Sequence, residues 1–298
     1  MTGFICLDKP EGITSFTAVN RARHICSQKK AGHTGTLDPM ATGVLPVMFG
    51  AATKFADYIP AANKKYTADI LLGVTTDSYD VTGRVLSEKE VNVSLEELLG
   101  AIEQFTGELE QLPPMYSAVS QNGVRLYKLA RQGIEVERKK RSITVYSSHI
   151  VKQKEKNVFT LSVECSPGTY VRSLISDIGE YLGCGACMKS LRRTSSNGFD
   201  ISDAITLEEL EDAVKCGELE KHIKKVDDVL EIYPCVTVTQ AQAKRFSNGG
   251  ALSLDRLKDL TGEGFIRVYS PENKFLGLGS TEKEKCELII AKLLTEEK

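Results

Sequence analysis

Alternation of apolar and polar residues predicts strands in the first part of the chain. Lys65 to Leu72 alternates with the two-residue period of a strand, so four side chains share one face: Tyr66, Ala68, Ile70 and Leu72. Ser142 to Val151 and Val158 to Cys165 predict a strand pair. The apolar run from Phe4 to Leu7 predicts a first strand, which ends in a turn at Pro10.

Helix signals fall between these strands. Ser15 is placed to cap a helix that runs to about Ser27. A capping box of Ser94 and Glu97 opens a second helix, whose predicted apolar face contains Leu95, Leu98, Leu99, Ile102 and Phe105. Another capping box begins at Thr206, and Tyr170 to Leu182 predicts a helix that ends at Gly183.

The length of 298 residues favours one large domain followed by a small one. We place the boundary between Glu231 and Pro234, which divides the chain into residues 1–231 and 232–298. Beyond it, Gly264 to Leu278 is typical of β structure, and Glu282 to Leu294 is ambiguous between strand and helix. The smaller part is therefore expected to be a β module.

Charge and cysteine content narrow the possible functions. The formal net charge is −2 and the pI about 6.2, so a nucleic-acid surface would have to be a local basic patch. The eight scattered cysteines and the lack of an apolar leader predict a cytoplasmic protein with free thiols. The C-x-x-C of Cys184 and Cys187 has no second ligand pair, so we expect no metal site. No apolar run is long enough to span a membrane.

The stretch from Ala31 to Pro46 is a candidate site because it presents one acid, Asp38, on a stiff, turning loop. Gly32 and Gly35 allow unusual backbone angles, and Pro39 restricts the acid that precedes it. The alternative is a structural turn, in which the Asp38 carboxylate only accepts hydrogen bonds from nearby backbone N–H groups.

A second candidate segment runs from Ser166 to Arg172, where a tight turn leads into a helix. An arginine beside a carboxylate would keep that carboxylate ionised, as a nucleophile requires. Tyr170 would add an apolar wall with a polar tip. The alternative is a surface arginine and a core tyrosine. A polar loop, Gly73 to Gly83, carries two more acids, Asp77 and Asp80.

Leu112 to Arg141 is rich in proline, glycine and cations, and it predicts an insertion over about residues 110–141. It ends in four consecutive cations, Arg138 to Arg141, which include Lys139 and Lys140. We interpret this end as a contact for phosphate groups; the alternative is a solvated turn.

Six sequence blocks resemble the bacterial tRNA pseudouridine synthase B family. In chain order they are LDKPEGITS, GHTGTLDPMATGVLP, KKYTADILLG, PPMYSAVSQNGVRLYKLARQG, SPGTYVRSLISDIG and LRRTSSNGF. The resemblance implies an α+β pseudouridine synthase fold, with a mixed, mainly antiparallel sheet, flanking helices and a small C-terminal PUA-like β barrel. It also implies an isomerase that converts uridine 55 in the T loop of tRNA to pseudouridine, without cofactor or metal.

The resemblance also assigns roles to residues. Asp38 is the expected nucleophile, attacking sugar C1′ or base C6, and Arg172 is its expected ion-pair partner. Tyr66 is expected to stack on the target base and to help remove its C5 proton, unless it has only a core role. His33 is expected to enter the RNA loop and hold the base out of the stack, unless it is a structural histidine. Other expected substrate contacts are Tyr170, Leu191, Lys9 and Lys64.

The sequence departs from the family pattern in two places, and two other functions compete with this interpretation. Family members often have histidine at Cys187, and the C-terminal module matches less well than the catalytic blocks. A tRNA-binding protein that helps tRNA fold without chemistry would need the basic surfaces but not Asp38. A glycoside hydrolase is disfavoured because such enzymes usually place two carboxylates across a cleft. We expect a monomer that acts on tRNA without an obligatory protein partner.

Overall fold

The structure, a computed structural model, describes residues 1–117, 119–121, 123–130, 132–257, 260 and 262–295. Its strands in chain order are β1 Gly3–Lys9, β2 Ala31–His33, β3 Thr42–Phe49, β4 Lys64–Leu72, β5 Val74–Thr76, β6 Val85–Glu88, β7 Gly107–Gln111, β8 Ser120–Gln121, β9 Val124–Arg125, β10 Arg141–Glu155, β11 Val158–Cys165, β12 Ala186–Ser196, β13 Phe199–Asp200, β14 Cys235–Thr237, β15 Leu252–Ser253, β16 Phe265–Tyr269, β17 Phe275–Glu282 and β18 Glu287–Leu293. The α-helices are α1 Ser15–Ile25, α2 Leu95–Gln104, α3 Leu126–Ala130, α4 Val171–Tyr181, α5 Leu207–Lys215, α6 Val226–Val229 and α7 Gln240–Ser247.

The predicted α+β class is confirmed by the main sheet. Within the described ranges it has nine strands, with the central order β1-β3-β12-β4-β11-β10-β7; β2 pairs with β3, and β13 pairs with β12. Every pairing is antiparallel except that of β3 with β12, which is parallel. The predicted inward face of β4 is buried, with Ala68 and Ile70 fully inaccessible. The sheet is therefore mixed and mainly antiparallel.

Helix α1 differs from the sequence prediction at its start. Thr14, not Ser15, is the N-cap, and its hydroxyl accepts from the Thr17 N–H at 3.0 Å. Ser15 is buried, and its hydroxyl bonds both the N–H and the carbonyl of Leu37, at 2.8 and 3.1 Å. The side chain that looked like a cap thus fixes a loop that is distant in sequence.

The other helix signals are mostly correct. The capping boxes of Ser94 and Thr206 are both present, opening α2 and α5. The apolar face predicted for α2 is too wide, because Leu95 and Leu99 are exposed while Leu98 and Ile102 are buried. The ambiguous C-terminal segment contains strand β18.

The chain leaves the main sheet after β7 and returns in β10. Gln111 and Arg141 are direct partners in this antiparallel pairing, so residues 112–140 depart from and return to one point of the sheet. The described part of this excursion contains the β8–β9 hairpin and helix α3. Ala118, Asn122 and Arg131 of the predicted insertion lie outside the described residues.

A second sheet forms the C-terminal module, with strand order β14-β16-β17-β18-β15. Aromatic rings join it to the N-terminal part: Phe55 lies 6.1 Å from Phe275, and Tyr58 lies 5.1 Å from Phe265. The Tyr58 hydroxyl also donates to the Ala291 carbonyl at 2.9 Å. The curled, PUA-like form of this module agrees with the prediction.

No helix in the part of the chain that the structure describes has the length and apolar character needed to cross a membrane.

Candidate active site

The Asp38 loop, residues 34–41, connects β2 to β3 and forms the floor of a cleft. Gly35 has φ +99°, a left-handed conformation that favours glycine. The Asp38 carbonyl accepts from the Ala41 N–H at 3.0 Å, so backbone groups close the turn. The Asp38 side chain pairs with Arg172 instead, at 3.0 Å. This geometry speaks against the turn-only interpretation.

Lys9 stabilises this loop through hydrogen bonds to backbone carbonyls. Its ammonium donates to the carbonyls of Pro10 at 2.7 Å, Pro39 at 3.2 Å and Ala41 at 2.7 Å. Lys9 is fully buried, and burial lowers its pKa to about 8. The expected phosphate contact of Lys9 is therefore wrong, because a side chain with no exposed surface cannot reach RNA phosphate.

Arg172 joins three segments at the start of α4. It is nearly buried, and its guanidinium bonds the carboxylates of Asp38 at 3.0 Å and Asp80 at 3.1 Å. It also donates to the carbonyls of Ser78 at 3.1 Å and Tyr116 at 2.8 Å. Four acceptors on three segments leave the guanidinium little freedom to move.

Asp80 is a site residue that sequence reasoning missed. It is buried; one carboxylate oxygen accepts from the Ser78 hydroxyl at 2.8 Å, and from the N–H and hydroxyl of Thr82 at 3.0 and 2.5 Å. The other oxygen accepts from Arg172. In the sequence, nothing distinguished Asp80 from Asp77, whose carboxylate bonds the Arg84 N–H at 2.9 Å instead.

The pKa of Asp38 is shifted upward, against the expectation that Arg172 would keep it low. Burial raises the pKa most, and Asp80 raises it further, while Arg172 and Lys9 lower it. One guanidinium serves two carboxylates here, so its attraction is shared. The Asp38 side chain is still 36% exposed, which leaves it open to the cleft.

Tyr66 lies on β4 and faces the same cleft. It is 7% exposed, and burial raises its pKa, so the phenol is neutral in the free protein near pH 7. Arg193 is its direct partner on β12, and the positive charge of Arg193 opposes part of the rise in the Tyr66 pKa. The side chain can offer a ring face and a hydroxyl to a bound group.

The cleft has a volume of about 1070 Å³ and gathers most of the predicted residues. Its lining includes His33, Asp38, Lys64, Tyr66, Tyr170, Arg172 and Leu191. Lys139 and Lys140 are exposed on the insertion and do not line it. Within the described residues, three buried polar atoms of lining or loop residues lack a hydrogen-bond partner: His33 Nδ1, Thr34 Oγ1 and Ser117 Oγ.

The C-x-x-C motif does not line this cleft. Cys184 and Cys187 are buried free thiols. Across the described ranges, no three His, Cys, Asp or Glu side chains are grouped so as to hold a metal ion.

Family models cover almost the whole chain. A model described as TruB family pseudouridylate synthase (N terminal domain) matches residues 23–171, and one described as tRNA pseudouridylate synthase B C-terminal domain matches residues 172–231. The chain belongs to the TruB family. A third model, Pseudouridine synthase II TruB, C-terminal, matches residues 234–287 of this TruB-family chain. The predicted family resemblance is confirmed.

Full-length relatives agree with the family models. The chain is 44% identical over 290 residues to the tRNA pseudouridine synthase B of Clostridium kluyveri, covering 97% of this chain and 99% of the relative. It is 43% identical over 300 residues to the protein of that name from Clostridium perfringens strain 13, covering all of both.

Solved structures of complexes contain chains with the same fold. The structure titled "Crystal Structure of a Cbf5-Nop10-Gar1 Complex" matches with a TM-score of 0.75 and 27% identity, covering 99% of this chain and 85% of that one. "Structure of H/ACA RNP bound to a substrate RNA containing 2'-deoxyuridine" matches with a TM-score of 0.73 and 26% identity, covering 98% and 85%.

Proposed function

We propose that this protein converts uridine to pseudouridine at position 55 in the T loop of tRNA. The observation that supports this most directly is the ion pair between Asp38 and the buried Arg172 on the floor of a large cleft. Family membership and the name of its full-length relatives, tRNA pseudouridine synthase B, support the same reaction and substrate.

Asp38 is the proposed nucleophile. Its carboxylate oxygen forms a bond to the target nucleoside, at sugar C1′ or at base C6. The bond from C1′ to N1 breaks, the uracil turns in place, and C5 bonds to C1′. If Asp38 is bonded to C1′, C5 displaces its oxygen while forming the bond to C1′; if Asp38 is bonded to C6, that bond breaks afterwards. In both cases C5 loses its proton and N1 gains one. Substrate and product are isomers, so the balance needs no oxidant, reductant or group donor, and covalent catalysis divides the reaction into easier steps.

Arg172 has two effects on this nucleophile. Its Nη2 lies 3.0 Å from one oxygen of the carboxylate and restrains its direction, and its charge favours the ionised form against the cost of burial. Arg172→Ala should therefore lower the rate strongly with little change in tRNA affinity. Equal losses in rate and affinity would make Arg172 a binding residue instead.

The extruded base is proposed to lie between Tyr66, Tyr170 and Leu191, which line the cleft. Unstacking a base costs a few kcal/mol, and an aromatic wall offsets part of that cost. His33 lines the same cleft, where burial and Arg193 lower its pKa, so we propose that a neutral imidazole meets the RNA loop. Lys64 remains a proposed phosphate contact at the cleft edge.

Lys139 and Lys140 are the proposed phosphate contacts on the insertion, because both are exposed. Replacing both with alanine should weaken tRNA binding and reduce the slope of log affinity against log salt by about 2. The matched control replaces Lys215 and Lys221, which are exposed but paired with acids at Glu211 and Glu218. A slope equal to that of the control would remove the insertion from the interface.

The decisive experiment measures tritium release from tRNA labelled at uridine C5, together with chemical mapping of pseudouridine. Wild type should release tritium and modify position 55 alone, and Asp38→Asn should bind tRNA without releasing tritium. Equal release by both proteins would refute the mechanism. Binding and accelerated tRNA folding without release by wild type would favour the tRNA-folding alternative.

The remaining expectations are part of the same proposal. Action on tRNA implies the cytoplasm, and a monomer is expected from size-exclusion chromatography with light scattering. We divide the chain at residues 231 and 232, which is supported by family models that end at 231 and begin at 234. Residues 1–231 expressed alone should retain the main sheet. This fragment should melt at a lower temperature than the full chain, because Phe55 and Tyr58 lose their contacts with the C-terminal module.

A further inference from the structure

Arg193 is a buried cation that the proposed chemistry leaves unexplained. It has no exposed surface and is among the largest fully buried side chains of the described residues. Its Nε donates to the Val44 carbonyl at 2.7 Å, and its Nη2 donates to the Gly35 carbonyl at 3.2 Å. In the part of the chain that the structure describes, no carboxylate forms an ion pair with it.

Such an arrangement is costly unless the cation has a use. A buried charge normally requires a partner of opposite charge, and two neutral carbonyls could be satisfied by a neutral donor. The adjacent Arg192 shows the ordinary solution on the same strand: it is partly exposed and pairs with Asp8 at 2.6 Å. A purely structural clamp therefore does not explain why residue 193 is charged.

The position of Arg193 connects it to Tyr66. The two residues are direct partners in the antiparallel pairing of β12 with β4, so their side chains lie on the same face of the sheet, and the positive charge of Arg193 acts on the phenol oxygen. Arginine has donors and no acceptor, so the Tyr66 hydroxyl cannot donate its hydrogen to Arg193. The hydroxyl hydrogen of Tyr66 is thus directed away from Arg193, where the open direction is the cleft.

The same guanidinium holds the loop that carries the nucleophile. Its bond to Gly35 lies three residues before Asp38, and its bond to Val44 lies on the strand that follows the loop. Arg193 therefore links Tyr66 and the Asp38 loop through one rigid, planar group.

We propose that Arg193 is a positioning residue for Tyr66, which holds the phenol oxygen at a fixed distance from the Asp38 loop and directs its hydroxyl into the cleft. The positive charge also favours electron density on that oxygen whenever a bound base draws on the hydroxyl. The kinetic consequence rests on the proposed function, whereas the effect on the Tyr66 hydroxyl does not.

The first test observes Tyr66 directly, without substrate. Protein labelled with ¹³C at the tyrosine ζ carbon gives a signal for each of the ten tyrosines, and Tyr66→Phe identifies the one from Tyr66. In Arg193→Gln the chemical shift of Tyr66 should change by more than that of any of the other nine tyrosines. In the control Arg192→Gln it should not. An unmoved Tyr66 signal in a folded Arg193→Gln protein would overturn the proposal.

A variant that retains the charge covers the case in which Arg193→Gln does not fold. Arg193→Lys keeps the cation but has a single donor group in place of the separate Nε and Nη2 groups that bond Val44 and Gly35. It should move the Tyr66 signal in the same direction as Arg193→Gln. A Tyr66 signal identical to wild type in Arg193→Lys would count against a link through the guanidinium.

The second test is a double-mutant cycle on the single-turnover rate. Loss of the positive charge beside Tyr66 predicts that Arg193→Gln slows the reaction by about tenfold or more, with unchanged tRNA affinity. In a Tyr66→Phe background the same substitution should cost less than about twofold, because the shared contact is already lost. Equal losses in both backgrounds would assign Arg193 a structural role only. If wild type makes no pseudouridine, the proposed function fails and the NMR result still decides the positioning role.

Discussion

Replacing Asp80 with asparagine tests whether one guanidinium is shared between two carboxylates. One Asp80 oxygen accepts three bonds from Ser78 and Thr82, and the other accepts from Arg172. Asparagine has only one oxygen. If that oxygen keeps the three bonds, its NH2 group faces Arg172, donor against donor; if it turns, its NH2 group faces the Thr82 N–H. Asp80→Asn must therefore lose one of the two sets of bonds.

The size of the effect follows from the bond that is lost. The three hydrogen bonds from Ser78 and Thr82 together contribute more than the single bond from Arg172. The asparagine oxygen should therefore keep those three bonds and lose the bond to Arg172. A hydrogen bond to a charged group contributes about 1.5–3 kcal/mol, which corresponds to a rate loss of about 10- to 150-fold if all of it acts on the orientation of Arg172. Affinity for tRNA should stay close to wild type, because Asp80 is buried, whereas the proposed phosphate contacts such as Lys139 are exposed.

Asp80→Asn should lower the plateau rate but improve activity at low pH. Asp38 must be ionised to attack, and its pKa is raised, so the rate should fall as pH drops through that raised pKa. Asp80 is one cause of the increase. Removing its negative charge lowers the Asp38 pKa and moves the acidic limb of the rate profile to lower pH. Asp80→Asn should thus have a lower plateau rate and a more acid-tolerant profile.

The assay is single-turnover tritium release at saturating enzyme, from pH 4.5 to 8.5, about the range in which a raised carboxyl pKa can be followed. Asp77→Asn is the matched control, because Asp77 belongs to the same loop and cleft lining but bonds Arg84 instead of Arg172. A wild-type plateau for Asp80→Asn, or an acidic limb that moves to higher pH, would refute the shared-cation reasoning.

Three further predictions concern stability. Asp38→Asn should raise the melting temperature slightly at pH 7, because burial disfavours the charged carboxylate. The gain should fade as the pH drops below the raised pKa of Asp38, because the wild-type carboxyl is then also neutral. Melting curves at pH 7 and at pH 3.5 or lower, near the ordinary carboxyl pKa, would check this. Ser15→Ala should cost about 1–3 kcal/mol in urea unfolding, because it leaves the buried Leu37 N–H and carbonyl without their partner. Gly43→Ala should lower the free energy of unfolding by more than about 1 kcal/mol, since its backbone has φ +98° and the added Cβ would lie 2.2 Å from a backbone oxygen. Gly100→Ala, in open space on a helix, should raise it by about 0.5–1 kcal/mol. The opposite order would contradict the packing argument.

Sequence reasoning located the elements whose signals are local. The alternation of Lys65 to Leu72, the capping box of Ser94 and the helix that begins after Tyr170 are all present in the structure. Such signals succeed because a capping side chain and a two-residue period act within a few residues. Ser15 misled the reasoning because its partner, Leu37, lies in another element.

Site residues were predicted unevenly for the same reason. Asp38 and Arg172 stand in two distinctive blocks, and the structure brings them within 3.0 Å. Lys9 stands in an equally distinctive block, but its full burial excludes the expected contact with phosphate. Asp80 had no local feature that separated it from Asp77, so only its contact with Arg172 identifies it.

The sequence by itself determined the α+β class, the family and the acid around which the loop turns, because these depend on local period, turn residues and a long specific block. Only the tertiary structure decided how charge is distributed at the site: that Arg172 is shared by two acids, that the Asp38 pKa rises, and that Arg193 lies buried against Tyr66. The physical reason is that burial and long-range pairing set the energy of a charge, and neither is encoded by the neighbours of a residue along the chain.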